Sequence, residues 1–222
     1  MRLALFGAPG VGKGTQAKLL VQRLGLTHIS TGDLIRAAIR QDTAVGKQAR
    51  SYVRGGQLVP GPIVRKLAED TLAGVDNDYF ILDGYPRTIE QAEWLTEYLD
   101  QHDAPLEAVL SVEVSDERIV SRLSKRRMNK ETGEIYHLDF HPPPPHIKPE
   151  MLRQRKDDRP EAIQKRLDVY HNQTKPLEAY FEGKRLLHVI DGVGSIEVVY
   201  ARIVSVLVAK VEAFGGRMVE QN

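Results

Sequence analysis

Residues 7–16 read GAPGVGKGTQ, four glycines around one lysine with a threonine close behind. Glycine gives up the most backbone freedom on folding, so this density needs a cause. A glycine loop between a strand and a helix can wrap its backbone N–H groups around a phosphate, because no Cβ stands in the way. The helix that follows turns its free amides and positive end toward the same anion. Lys13 adds a mobile cation for the outer phosphates. Gly7 to Lys13 match G-x-x-x-x-G-K, but Gly14 occupies the usual hydroxyl position and Thr15 follows one place later. The chemistry implied is the cradling of a nucleoside triphosphate. A glycine turn that binds nothing would leave the flanking strand and helix patterns unexplained.

A cradle does not name a reaction, since one phosphate loop serves many chemistries. The stretch YFILDGYPRT at 79–88 adds a carboxylate, Asp83, at the end of an apolar run. There it could reach Mg²⁺ directly or through water, or it could simply open a turn with Gly84. Arg87 follows at once, suited to a planar phosphate clamp, and Pro86 restricts the backbone beside it. Arg122 and Arg126 lie four apart in a helical pattern, hence on one face. Arg155 precedes the acidic pair of RKDD, Arg166 lies in the next helical pattern, and Arg36 in an earlier one. Each alone reads as a solvated surface charge. Together, beside two segments that interrupt the fold, they suit two anionic substrates and phosphoryl transfer, which depends on positioning and electrostatics more than on covalent chemistry.

These residues need a scaffold. RLALF (2–6), THIS (27–30), DYFILDG (78–84), PLEAVLSVEV (105–114) and RLLHVIDG (185–192) read as short buried strands. KGTQAKLLVQRLG (13–25) has helical spacing and stops at Gly25, a C-cap. Further helices are expected at 88–101, 115–127, 160–183 and 195–214. Strands alternating with helices predict an α/β fold with a parallel five-stranded sheet covered on both faces, a P-loop three-layer sandwich. Residues 30–59 break the alternation with helical pattern and no strand. Residues 128–157 break it with turn residues, a short β-like EIYHLDF and four consecutive prolines. An insertion of this kind is either a functional lid or a variable surface loop. The tail GGRMVEQN (215–222) reads as frayed.

Composition sets limits. The net charge of +1 offers no global attraction to nucleic acid or to a membrane surface. With no cysteine there is no disulfide, thiolate nucleophile or cysteine zinc site, in keeping with a reducing compartment. MRLALFGAPG is interrupted too early for a signal-peptide core, and no apolar run approaches the ~20 residues of a membrane span. A cytoplasmic soluble protein is the expectation.

GAPGVGKGTQ, HISTGDLIR, GQLVP, DGYPRT with a following Gln, RLSKRR, GEIYH and RKDDRPEAIQKRLDVY occur in that order over nearly the whole chain. They resemble adenylate kinase of the long-lid type, a family that places glycine after the cradle lysine. The resemblance implies MgATP + AMP ⇌ 2 ADP, with ATP, AMP and ADP as partners, no nucleic acid or membrane, and a monomer. It divides the chain into a core (1–29, 60–124 and 159–222), an AMP-binding helical insert (30–59) and a small β-type lid (125–158). It assigns Gly10, Val11, Gly12, Lys13, Gly14 and Thr15 to the ATP phosphates. Arg122 covers the donor adenine, with Ile135 and Tyr136 nearby and the Gly194 backbone on the base. Thr31, Arg36, the backbone of Gln57, Leu58 and Val59, and Gly84, Tyr85, Pro86, Arg87 and Gln91 form the AMP pocket, Gln91 on the adenine edge. Arg126, Arg155 and Arg166 surround the transferring group, with Arg155 and Arg166 also on the AMP side. Asp83, with Asp33, holds hydrated Mg²⁺. UMP/CMP kinases share the cradle and arginines, and some relatives use GTP; Gln91 and STGDLIR favour AMP. A P-loop switch that holds nucleotide without transferring phosphate is the reading from another class.

The lid departs from one version of the family, which binds zinc through four cysteines. Other members use a polar quartet. Asn129 and Thr132 match half of it, while Pro145 and Lys148 stand at the other half. No structural zinc is expected, although His137, His141 and His146 sit close in sequence. Pro142–Pro145 predict an extended polyproline strut.

Overall fold

The computed structural model describes residues 1–75 and 79–213. The expected frayed tail at 215–222 lies outside the described residues, as do Asp78 and Phe214 at the ends of an expected strand and helix. Strands β1 (Arg2–Phe6), β2 (Thr27–Ser30), β3 (Phe80–Asp83), β4 (Ala108–Glu113) and β8 (Leu187–Asp191) form one sheet in the order β2-β3-β1-β4-β8. All pairs are parallel. β3 is wholly buried and β1 and β4 nearly so, which is why their sequences are continuous apolar runs with no alternation. Helices α1 (Lys13–Leu24), α4 (Gly61–Leu72), α5 (Ile89–Gln101), α6 (Asp116–Lys125), α7 (Pro160–Val169), α8 (Leu177–Gly183) and α9 (Ile196–Ala213) accompany the sheet. Leu20, Ala68, Leu95, Ile119, Phe181 and Ile203 from these helices join one buried apolar core with the strands.

The carboxyl ends of the strands gather at one edge, where ligands bind in open α/β sheets. Register aligns Leu5 with Asp83 and Ser30 with Asp83, so the loop after β1, the turn after β3 and the start of α2 (Thr31–Arg40) face one space. The loop after β1 closes tightly on its neighbour: a Cβ on Gly7 would stand 2.4 Å from the Val112 carbonyl oxygen, and Gly7 has φ +131.

Residues 30–59 fold as α2 and α3 (Ala44–Arg54), capped by Ser30 and Thr43 side chains that accept from the Asp33 and Gly46 amides. Residues 126–153 hold a second sheet, β6-β5-β7, built from β5 (Arg126–Asn129), β6 (Ile135–His137) and β7 (Leu152–Arg153) in antiparallel pairing.

Of two expected helices, one ends early and one is interrupted. The 115–127 helix stops at Lys125, and Arg126 is extended at φ −70, ψ 135 because it pairs with His137 to open β5. Arg122 and Arg126 therefore do not share a helix face. The 160–183 helix divides at a π turn over Tyr170–Thr174, closed by the Lys175 N–H to the Tyr170 carbonyl at 2.8 Å. Pro176 follows immediately and cannot donate to the helical ladder. The proline segment is a strut only in part: Pro145 lies in a turn closed by the Ile147 N–H on the Pro144 carbonyl at 2.9 Å.

Gly7→Ala combines a left-handed backbone with a backbone clash. It is expected to cost about 2–4 kcal/mol of stability, read as a lowered denaturant midpoint. An unchanged midpoint would mean the loop moves off β4 freely.

Candidate active site

α1 begins on Gly12, left-handed at φ 111, with no side-chain cap, so its first amides are presented to the space above the sheet. Lys13 turns back over the loop and donates to the Gly7 and Ala8 carbonyls at 2.7 and 2.8 Å. Burial pulls its ammonium from the ordinary 10.5 down to about 7; Asp83 opposes this, and Arg87, Arg166 and Arg126 add to it. Thr15 lies exposed in the first turn. Gly14 borders Asp83, whose Oδ2 would be 3.5 Å from a Cβ added there.

The turn after β3 is held from several sides. Tyr85–Pro86 is a cis peptide. The Gly84 carbonyl accepts from Thr31 Oγ1 at 3.0 Å and from Arg87 Nε at 2.7 Å. The Arg87 N–H donates to Gln91 Oε1 at 2.8 Å, and Thr174 Oγ1, in the π turn, donates to the Arg87 carbonyl at 3.0 Å. Gln91 is thereby fixed with its amide nitrogen still carrying donors.

Arg126, Arg155 and Arg166 converge around an acidic pair. Asp158 is fully buried. It accepts from Arg126 through both oxygens, at 2.8 and 2.5 Å, and from Arg166 Nη1 at 3.3 Å. Asp157 lies 3.1 Å from Arg166 Nη1 and 4.0 Å from Arg155 Nε. Burial alone would raise the Asp157 carboxyl, but Arg166 and Arg155 outweigh it and hold it low. The arginines feel one another. Burial and then Arg166 pull Arg87 down to about 10; burial, then Arg36 and Arg126, pull Arg155 down to about 9. Arg166 is pulled down too, by burial first. A guanidinium stays protonated in proteins, so this downward pull expresses crowding of like charge in a poorly hydrated space. Nearby phosphate would relieve it.

On the β8 side, Arg122 donates to the Val11 and Gly192 carbonyls, each at 3.1 Å, linking the glycine loop to the turn that contains Gly194 (φ +136). Ile135 and Tyr136 lie in β6. The Tyr136 ring is buried in the small sheet against His141, and its hydroxyl donates to Glu134 at 2.6 Å. Gln57 is exposed, Leu58 half-buried and Val59 buried after α3. Arg36 donates to Asp33 Oδ1 at 2.6 Å, and its charge is felt at Arg87, Arg155 and Arg166.

A sequence model of the family described as adenylate kinase matches residues 5–186. The chain belongs to the adenylate kinase family. It is 55% identical over 203 residues to an adenylate kinase of Salinibacter ruber, covering 91% of this chain and 96% of that one. It is 43% identical over 208 residues to that of Fusobacterium nucleatum (93% and 98% covered) and 45% identical over 197 residues to that of Caldicellulosiruptor bescii (86% and 92%).

Adenylate kinase chemistry implies magnesium arriving with the nucleotide. The donor set fits such an ion. Asp83 offers hard oxygens beside the cradle, and no cluster of three or more His, Cys, Asp or Glu among the described residues could cage a metal. That suits an ion that keeps its water and nucleotide oxygens. Asp33 is committed to Arg36, which weakens its claim on the ion. Burial works to raise the Asp33 carboxyl, and Arg36 more than offsets it, leaving it low.

Sequence reasoning missed three groups. His28 Nε2 is buried without a hydrogen bond, 3.4 Å from Asp83 Oδ2; its only signal was a polar residue alternating into β2. Asp158 was visible as half of an acidic pair, but its burial was not. Thr174 gave no signal, because a π turn leaves no mark on apolar spacing.

The Lys13 shift has a measurable consequence. At pH 8, between about 7 and the ordinary 10.5, the free enzyme's lysine is largely neutral; a bound phosphate chain restores its charge. MgATP binding at pH 8 should therefore take up a proton, and at pH 6 almost none. Calorimetry in two buffers of different ionisation enthalpy reads this directly. No uptake at pH 8 would show that the loop carbonyls already keep the ammonium charged.

Proposed function

We propose that this adenylate kinase transfers a phosphoryl group reversibly from MgATP to AMP, giving two ADP, and so balances the adenine nucleotides. The observation that carries the reading is the convergence of two anion-receptive groups on one space. The uncapped start of α1 and Lys13 lie on one side, Arg87 and Arg36 on the other, and Arg126, Arg155 and Arg166 between them. The core, residues 1–29, 60–124 and 159–222, supplies the rigid edge. Residues 30–59 act as the AMP flap and 125–158 as the lid, in a monomer that works in the cytoplasm.

In this mechanism the amides from Gly10 to Thr15 and the Lys13 ammonium hold the ATP phosphates. Arg122 covers the adenine, with Ile135, the Tyr136 backbone and the Gly194 backbone around it. Arg87 and Arg36 take the AMP phosphate. Thr31 and the 57–59 backbone border the nucleoside, and Gln91, its oxygen engaged by Arg87, gives its amide hydrogens to the adenine edge. Arg126, Arg155 and Arg166 meet the charge that develops on the transferring group. Asp83 would hold the water of a magnesium ion arriving with ATP, an ion that would draw charge off the phosphates. No general base is needed, because the attacking AMP oxygen is already anionic. In-line positioning and exclusion of water carry the rate; closure of adenylate kinase lids is itself a standard instance of such gating.

A coupled assay of ATP with each nucleoside monophosphate tests the reading. AMP should give the highest kcat/KM, since a site built to hydrogen-bond one base rejects others. Arg87→Ala should lower kcat/KM for AMP by roughly 10²-fold or more. Equal use of UMP or CMP would point to a different acceptor, and slow hydrolysis without any acceptor to a switch.

The lid is proposed to hold together without metal. The Asn129 oxygen accepts from the Glu131 and Thr132 amides at 2.9 and 3.3 Å, and Thr132 Oγ1 from the Glu134 amide at 3.2 Å. Lys125 and Asp139 pair at 2.6 Å. His137 spends Nδ1 on the Asp139 and Phe140 amides, each at 3.1 Å. Protein purified without a histidine tag should contain no stoichiometric zinc, and chelation should leave its thermal midpoint unmoved. Stoichiometric metal with a chelator-dependent midpoint would overturn this.

A further inference from the structure

On the outer side of the arginine cluster, a groove of about 350 Å³ runs between the end of α3 and the start of α7, lined by Arg54, Lys156, Arg159, Glu161 and Lys165. We propose that this groove is a second anion site, separate from the substrate cleft, that takes a short oligophosphate and favours the closed arrangement of the flap.

Four cations line the groove against one carboxylate. All five side chains are exposed, and none of them appears in an ion pair or side-chain hydrogen bond among the described residues, although Glu161 and Lys165 are one helical turn apart. Lys66 and Asp70, at the same spacing on α4, do pair. Arg54 alone is explained locally, since it closes α3, where a helix favours a cation. Lys156 and Arg159 are placed against that rule. Arg159 is the N-cap of α7 and Lys156 lies three residues before it, at the positive end of the helix. Two unpaired cations there repel both the helix end and each other, and a polyvalent anion removes both costs.

The position of the groove links it to closure. Its walls come from α3 in the 30–59 segment and from the arm that leads out of the small sheet into α7. Gly56, at φ +70, sits so close to α7 that a Cβ would meet the Ala162 carbonyl oxygen at 3.0 Å and Arg166 Cγ at 3.1 Å. The groove exists only while the two segments touch. Its cations also alternate with those of the cleft: Lys156 follows Arg155, and Lys165 precedes Arg166. An anion bound outside therefore braces the backbone that carries two arginines inside. By linkage, it tightens substrate binding by the same factor that substrate tightens it.

Inorganic triphosphate is the probe, and calorimetry of wild type against the double variant Arg54→Gln/Lys165→Gln is the test. The cleft also receives phosphates, so each protein is titrated free and with the cleft filled by a compound joining two adenosines through five phosphates. Filled wild type should bind about one further triphosphate, more weakly at high salt. The double variant should bind it at least roughly tenfold more weakly, and Glu161→Gln should bind it a few-fold more tightly. Turnover of the double variant without triphosphate should match wild type. The proposal is overturned if filled wild type binds no triphosphate, or if the double variant binds it equally well. Binding of the two-adenosine compound reports separately on the nucleotide cleft. If that compound does not bind, the difference between the free wild type and the free variant still decides the groove.

Discussion

Like charge held in a small, poorly hydrated space is the constraint on which the rest of this molecule depends. Lys13, Arg36, Arg87, Arg126, Arg155 and Arg166 face a common region against Asp33, Asp83, Asp157 and Asp158. Burial first, and their mutual repulsion after it, pull down Lys13, Arg87, Arg155 and Arg166. Such a cluster persists only if each cation is anchored. Asp158 anchors Arg126 and Arg166 from a fully buried position, and breaking a buried pair of this kind ordinarily costs about 3–5 kcal/mol. The Gly84 and Gly7 carbonyls anchor Arg87 and Lys13, Asp33 anchors Arg36, and Asp157 lies beside Arg155. The excess positive charge is the driving force for binding, because phosphate completes what the carboxylates leave uncompensated.

The sheet makes this possible by separating rigidity from charge. Its parallel strands are buried, so their carboxyl ends are fixed relative to one another, and the elements that carry charge attach to those ends. Arg87 illustrates the division. Its position is set by its N–H on Gln91, its Nε on Gly84 and its carbonyl under Thr174, contacts that draw on α5, the turn after β3 and the π turn. The π turn has a positional purpose here. A regular helix continuing through 170–174 would present Thr174 at a different angle, and Pro176 prevents the regular ladder in any case.

Much of this was legible in the sequence, and the unread parts share a cause. β1, β3 and β4 were plain as continuous apolar runs, and the cradle was plain because glycine density has few explanations. What failed were features decided by long-range pairing. Helical spacing carries on through Arg126, but the antiparallel partner His137 lies eleven residues later and claims that residue for β5. The same spacing runs through Tyr170–Thr174, where the interruption comes from a proline downstream. Asp158 looked like surface charge, since nothing local reveals that two arginines from different elements close over it. His28 read as a strand residue, and its closeness to Asp83 follows from parallel register alone.

The small sheet carries only half of the polar quartet that the resemblance implies. Residues 126–153 have too few apolar side chains for a core of their own, and buried Met128 and Tyr136 are the chief ones. Local hydrogen bonds replace mass. Asn129 and Thr132, half of the expected quartet, serve the 131–134 turn, and Asn129 Nδ2 stays buried without a partner. Just beyond the positions of the other half, Lys130 Nζ reaches the Glu150 carbonyl and the Lys130 N–H the Met151 carbonyl. The closing contact thus runs through main chain, and side-chain identity at 145 and 148 becomes less constrained. That explains how a proline and a lysine can occupy those positions. A sheet held in this way has little stability apart from its stem, where Arg126 meets Asp158. The ion pair that shapes the arginine cluster is therefore also what fixes the base of the small sheet.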